Sequence, residues 1–163
     1  MMIGHPPEAP LRILCVDDNR DVADTEVELL VAVGCEALAC YDGPSALLRA
    51  EAFDPDICFV DLNMPGMDGD ELALLLRERS TDRPLVLVAI TAMNDETSRQ
   101  RIKRAFDRHL VKPAATQDLL AVIGEFQQAC QVAERGPFSP SHHLTRGIPK
   151  SPKCPLPAGT VFG

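Results

Sequence analysis

A parallel β-sheet covered by helices on both faces, the doubly wound α/β sandwich, is what this sequence predicts, and two observations predict it. Short apolar runs alternate along the chain with longer stretches whose apolar residues recur at helical spacing. Three of the runs, beginning at Leu11, Ile57 and Leu85, are apolar nearly throughout, as strands must be when both faces of their sheet are covered.

Taken in order, the first run spans residues 11–16. Asn19 stands where the cap of the following helix belongs, and Gly34 where a left-handed residue would close it. Within that helix Glu26 falls on the stripe that Val22, Leu29 and Val33 would otherwise form. A different buried face, including Ala23, Val27 and Leu30, is therefore expected. The second run, residues 36–41, leads to Asp42, another cap. After the third run, residues 57–60, Asp68 and Glu71 have the spacing of a capping box, and Leu72, Leu75 and Leu76 mark a helical face. The fourth and fifth runs cover residues 85–90 and 109–111. A last helix is carried by Leu119, Leu120, Ile123 and Phe126.

The 163 residues allow one domain with an appendage, and 45% hydrophobic with 25% charged residues is an ordinary globular composition. Residues 1–10 read as an N-terminal extension without the basic start and apolar block of a secretory signal. No apolar run approaches the ~20 residues of a membrane span, so a cytoplasmic location is expected. The body is residues 11–134. Residues 135–163 are rich in proline and poor in periodic apolar residues, and are expected to be a disordered tail.

Charge divides the same way. Of 16 basic and 24 acidic residues, four basic ones (Arg135, Arg146, Lys150 and Lys153) follow Glu134 and no acidic one does. The body is thus acidic, which argues against direct nucleic-acid binding. The six cysteines lack metal-ligand or redox spacing, and Cys15 and Cys58 read as small hydrophobes inside strands.

Ligands of such sheets bind beyond the carboxyl ends of the strands, where strand order reverses. The first run ends in Asp17 and Asp18, the third in Asp61, the fourth in Thr91, and the fifth in Lys112 before Pro113. Converging carboxylates repel one another, and hard oxygen donors suit Mg²⁺. A carboxylate beside a metal can attack phosphorus, a lysine can pair with phosphate oxygens, and a threonine hydroxyl can donate to another. Taken singly each residue has an ordinary role: Asp17 or Asp61 as a loop acid or cap, Thr91 in a local backbone bond, Lys112 as a solvated charge. Their placement at one end of several strands gives the functional reading.

At these positions the chain resembles the response-regulator receiver family. The phosphorylation loop of that family is matched by the run from Val60 through Asp61, Leu62, Asn63, Met64, Pro65, Gly66, Met67 and Asp68 to Gly69, joined by Asp17-Asp18-Asn19 and by Leu110-Val111-Lys112-Pro113. The resemblance implies a flavodoxin-like (βα)5 fold with a five-stranded parallel sheet in the order 2-1-3-4-5. It implies that Asp61 is phosphorylated, that Asp18 binds Mg²⁺ directly and Asp17 through water, and that the Asn63 carbonyl completes the protein ligands. Asn63 and Ala92 would also contact the phosphoryl group. Thr91 would move toward it, Lys112 would pair with it, and the Lys112-Pro113 peptide would be cis. His109 stands where the family often has a tyrosine or phenylalanine that switches on phosphorylation, as it also does in receivers related to hybrid kinases. Ala105 replaces a customary glycine, and Glu26 a customary apolar residue.

The implied function is a single-domain phosphoreceiver supplied by a sensor or hybrid histidine kinase or a phosphotransfer protein, and signalling through contact with a downstream protein. A phosphorelay intermediate or phosphate sink is the nearest alternative, and a degenerate binding scaffold another. An Mg²⁺-dependent aspartate-nucleophile phosphatase would use similar chemistry, but such enzymes place an acid two residues after the nucleophile, where this chain has Asn63. A dinucleotide-binding protein would need a glycine-rich turn after the first strand.

Overall fold

The computed structural model describes residues 9–80, 85–92 and 94–134, with side chains as far as Gln131. Residues 1–8 of the expected extension over residues 1–10, and the whole expected tail over residues 135–163, lie outside the described residues. Strands and helices alternate strictly: β1 (Arg12–Val16), α1 (Arg20–Ala32), β2 (Glu36–Cys40), α2 (Gly43–Phe53), β3 (Ile57–Asp61), α3 (Gly69–Arg79), β4 (Val86–Thr91), α4 (Glu96–Ala105), β5 (Arg108–Val111) and α5 (Thr116–Glu134). Every strand pair is parallel, in the order β2-β1-β3-β4-β5.

Alternation of side chains along each strand divides the core into two layers. On one face Leu14, Val16, Cys58, Val60, Leu87 and Ala89 pack against α2, α3 and α4. On the other, Ile13, Cys15, Ile57, Phe59, Val86 and Val88 pack with Leu30 of α1 and with Leu119, Val122, Ile123 and Phe126 of α5. Every residue of β3 and β4 is buried, whereas edge strand β5 alternates between half-buried and exposed. That pattern explains why the central strands read as unbroken apolar runs and β5 did not.

Asn19 caps α1, its side chain accepting from the Asp21 and Val22 amides, and Asp42 caps α2 by accepting from Ser45 at 2.8 Å. Gly34, at φ +96°, closes α1 in the left-handed region that glycine tolerates best. The capping box does not form. Asp68 occupies the N-cap of α3 but makes no side-chain cap bond; its carboxylate lies 3.3 Å from the Arg101 guanidinium, because a charged donor outcompetes a backbone amide. At Gly69 a Cβ would sit 2.1 Å from the Asp61 carbonyl oxygen, so only glycine lets α3 start this close to the end of β3. Cys15, Cys35, Cys40 and Cys58 are in the thiol form, while Cys130 is disulfide-bonded, a pairing its spacing did not signal.

Helix α1 buries Ala23 and Leu30 and half-buries Val27, as expected, but Glu26 shares that face and is itself buried. It is hydrogen-bonded with the Cys15 thiol, and burial together with the charge of Asp17 raises its pKa to about 7, against the opposing pull of Lys112. The folded protein therefore holds a proton on Glu26 at pH values where the unfolded chain has released it. Stability without metal should fall as pH rises from about 4.5 to 7. Glu26→Gln should remove this loss, stabilising the protein by about 2 kcal/mol at pH 8 and leaving it nearly unchanged at pH 4, as read by urea denaturation in chelator. A variant no more stable than the parent at pH 8 would contradict the buried carboxylate's cost.

Candidate functional site

The chain runs from β1 outward to β2 and then crosses to β3 on the opposite side, so strand order reverses between β1 and β3. Asp17 follows β1 directly and Asp61 ends β3, which brings both to the crevice at that reversal. With Asp18 they form a cluster whose carboxylate oxygens all lie within 4.8 Å of one another. Asp17 and Asp61 are buried, and Asp18 is exposed at the rim.

Lys112 holds the two buried acids. Its Nζ donates to Asp17 Oδ2 at 2.8 Å and lies 3.3 Å from Asp61 Oδ2. Its position is fixed from the backbone: its N–H donates to the Thr91 carbonyl at 3.0 Å, and the peptide to Pro113 is cis, as the resemblance implied. The other oxygens of both acids are held locally. Asp17 Oδ1 accepts from the Asn19 amide at 2.9 Å, and Asp61 Oδ1 from the Asn63 amide at 3.4 Å.

The electrostatics follow from burial and crowding. Burial and the neighbouring charge of Asp17 raise the Asp61 pKa to about 6, with Lys112 pulling the other way. Burial would lower the Lys112 pKa, but its bonds with Asp17 and Asp61 outweigh that and the net shift is upward. One ammonium thus faces three carboxylates. Hard oxygen donors, two of them buried and incompletely neutralised, are a donor set suited to a small divalent cation.

Thr91 is buried at the end of β4 and Ala92 is exposed just beyond it. Asn63 is exposed in the loop after β3. His109 pairs in register with Ala89 on edge strand β5, with its side chain exposed. The structure therefore brings Asp17, Asp18, Asp61 and Lys112 together, sets Thr91 at the end of the neighbouring strand β4 and Asn63 in the loop after β3, and leaves His109 at the surface. Two residues escaped sequence reasoning. Glu26 had a signal, an acid on an apolar stripe. Arg101 had none, because its partners Asn63, Leu62, Asp68 and Asp70 lie more than 30 residues away along the chain.

The sequence model for the response regulator receiver domain matches residues 13–124. Among curated proteins, PilG of Pseudomonas aeruginosa is 29% identical over 115 residues, covering 69% of this chain and 84% of PilG. The sensory transduction protein RegX3 of Mycolicibacterium smegmatis is 34% identical over 112 residues, 68% of this chain but 48% of RegX3. The chain thus spans most of one relative and about half of the other. Among solved structures, the chemotaxis protein CheY4 of Vibrio cholerae superposes with a TM-score of 0.67 at 27% identity, over 71% of this chain and 98% of CheY4. The order β2-β1-β3-β4-β5, the acidic crevice and these matches agree, and the chain belongs to the response regulator receiver family of two-component signalling.

Proposed function

We propose that Asp61 is the phosphoryl acceptor of this receiver and that Asp17, Asp18 and the Asn63 carbonyl join it in holding Mg²⁺. The observation that supports this most is the Lys112 ammonium set between Asp17 and Asp61, 2.8 and 3.3 Å away, inside a crevice of three carboxylates. Both oxygens of Asp17 are engaged within the protein, which favours its acting through water, whereas Asp18 is at the open rim and free to ligate directly. When bound, Mg²⁺ would neutralise charge on the incoming phosphoryl group.

Phosphoryl transfer needs little covalent work from the protein beyond positioning and charge. An Asp61 carboxylate oxygen forms the new bond to phosphorus as the bond to the leaving group breaks. With a phosphohistidine donor the imidazole departs with the electron pair; with acetyl phosphate, acetate does. Lys112 can turn its ammonium from the Asp61 oxygen to the phosphoryl oxygens, Thr91 can donate its hydroxyl to another, and the Ala92 and Asn63 amides can reach the same group. The donor is a sensor or hybrid histidine kinase or a phosphotransfer protein. The likeness to the sensor histidine kinase GacS of Pseudomonas protegens, 34% identical over 117 residues, supports that class.

In this reading the domain signals by protein contact in the cytoplasm, and His109 fills the space behind Thr91 when the hydroxyl moves toward the phosphoryl group. A phosphatase reading has little support at its key position: two residues after Asp61 stands Asn63, whose Oδ1 accepts from Arg101 at 3.1 Å. No helix among the described residues is long and apolar enough to cross a membrane.

Incubation with acetyl phosphate and Mg²⁺ should add one phosphoryl group to the parent and none to Asp61→Asn, which loses the attacking oxygen while keeping its shape. Intact mass spectrometry reads both, and continued stoichiometric labelling of the variant would refute the assignment. Magnesium should also stabilise the parent, by about 2.7 kcal/mol at a hundredfold excess over its dissociation constant. Asp18→Ala should abolish that gain and, by relieving carboxylate repulsion, melt higher than the parent in chelator. Equal stabilisation of both proteins by Mg²⁺ would exclude Asp18 as a ligand.

A further inference from the structure

The α4 residue Arg101 reaches across to the loop that follows Asp61. Its Nη1 donates to Asn63 Oδ1 at 3.1 Å, and its Nη2 donates to the Leu62 carbonyl at 3.4 Å. The same Nη2 pairs with Asp70 in the first turn of α3 and lies 3.3 Å from Asp68 at its N-cap. One guanidinium therefore grips both residues directly after Asp61 and the start of the next helix. Its own frame is firm, since Ile102 and Ala105 of α4 are buried in the core. Asn63 is otherwise exposed, and its backbone amide makes only a long 3.4 Å bond to Asp61.

Resting on the metal-site reading above, we propose that Arg101 is the positioning residue for the cation side of this site. Its fork sets the Leu62–Asn63 segment so that the Asn63 carbonyl faces the crevice, and it ties that placement to α4. Metal ligands are oriented by the groups behind them, and an arginine fork can hold a carbonyl, an amide oxygen and carboxylates at once where a lysine point charge cannot. The coupling is reciprocal. Cation binding at the loop fixes α4, and whatever displaces α4 loosens the loop. Helix α4 is also joined through residues 92–95 to Thr91, so the loop after Asp61 and the end of β4 act on the same helix.

The sign of one measurement separates this role from simple charge. Removing a cationic side chain near a cation site would, by Coulomb interaction alone, tighten Mg²⁺ binding. Removing a positioning group weakens it. Calorimetric titration of the full chain with Mg²⁺ alone should show Arg101→Met binding about tenfold more weakly than the parent, a loss typical for a partner behind a ligand. Arg101→Lys, which keeps the charge and loses the fork, should also bind more weakly than the parent, and it supplies the readout if Arg101→Met does not fold. Labelling by acetyl phosphate at saturating Mg²⁺ should return to the parent's rate in Arg101→Lys. Parent-like or tighter Mg²⁺ binding by the variants would overturn the positioning role while leaving the acceptor assignment intact. A parent protein that takes up no Mg²⁺ would overturn the positioning role together with the metal-site reading on which it rests.

Discussion

Three carboxylates crowd within 4.8 Å at the end of a parallel sheet, with one lysine to hold them. Everything else in the fold serves that arrangement. Isolated buried charges are costly and either pair or take up a proton. Here burial first, and the charge of Asp17 second, raise the pKa of both Asp61 and Glu26. The rest of the domain must supply the stability to keep these groups together, and it does so with β3 and β4, buried at every residue between two apolar layers. The site is thus unstable by itself and held by its surroundings, so it gains from any cation that neutralises it.

Backbone geometry gives that site its accuracy. Asp17, Asp61, Thr91 and Lys112 come from four different strands, yet their spacing is set by the register of neighbouring strands and by main-chain bonds such as Lys112 N–H to the Thr91 carbonyl. Gly69 lets α3 begin against the carbonyl of Asp61. Arg101 then bridges from α4 to the loop between these elements. The end of β3 at Asp61, the tight loop after it and helix α4 are therefore linked by direct contacts.

Much of this was legible in the sequence because the signals are local. The central strands read as apolar runs since both their faces are covered, and Asn19, Asp42 and Gly34 acted as caps and closure because those jobs depend on adjacent backbone. The strand-end acids and Lys112 stood out once the sheet was inferred. What the sequence did not show depends on contacts made across the fold. Glu26 was read as a disturbance of the stripe of Val22, Leu29 and Val33, yet it is buried on the face of Ala23 and Leu30, where it meets the Cys15 thiol. Asp68 and Glu71 had the spacing of a capping box, but Arg101, 33 residues further on, took the Asp68 carboxylate instead. His109 could be placed on β5 by pattern, but its exposure follows from β5 being an edge strand.

The central claim is that the phosphoryl group is carried as an acyl phosphate on the one buried acid at the end of β3. Borohydride reduces an aspartyl phosphate to homoserine, which marks the residue permanently. After treatment with acetyl phosphate and Mg²⁺, peptide sequencing by mass spectrometry should find homoserine at position 61 and unmodified aspartate at positions 17 and 18. Homoserine at Asp17 or Asp18, or an unreduced phosphoryl group retained on Thr91, would contradict the account.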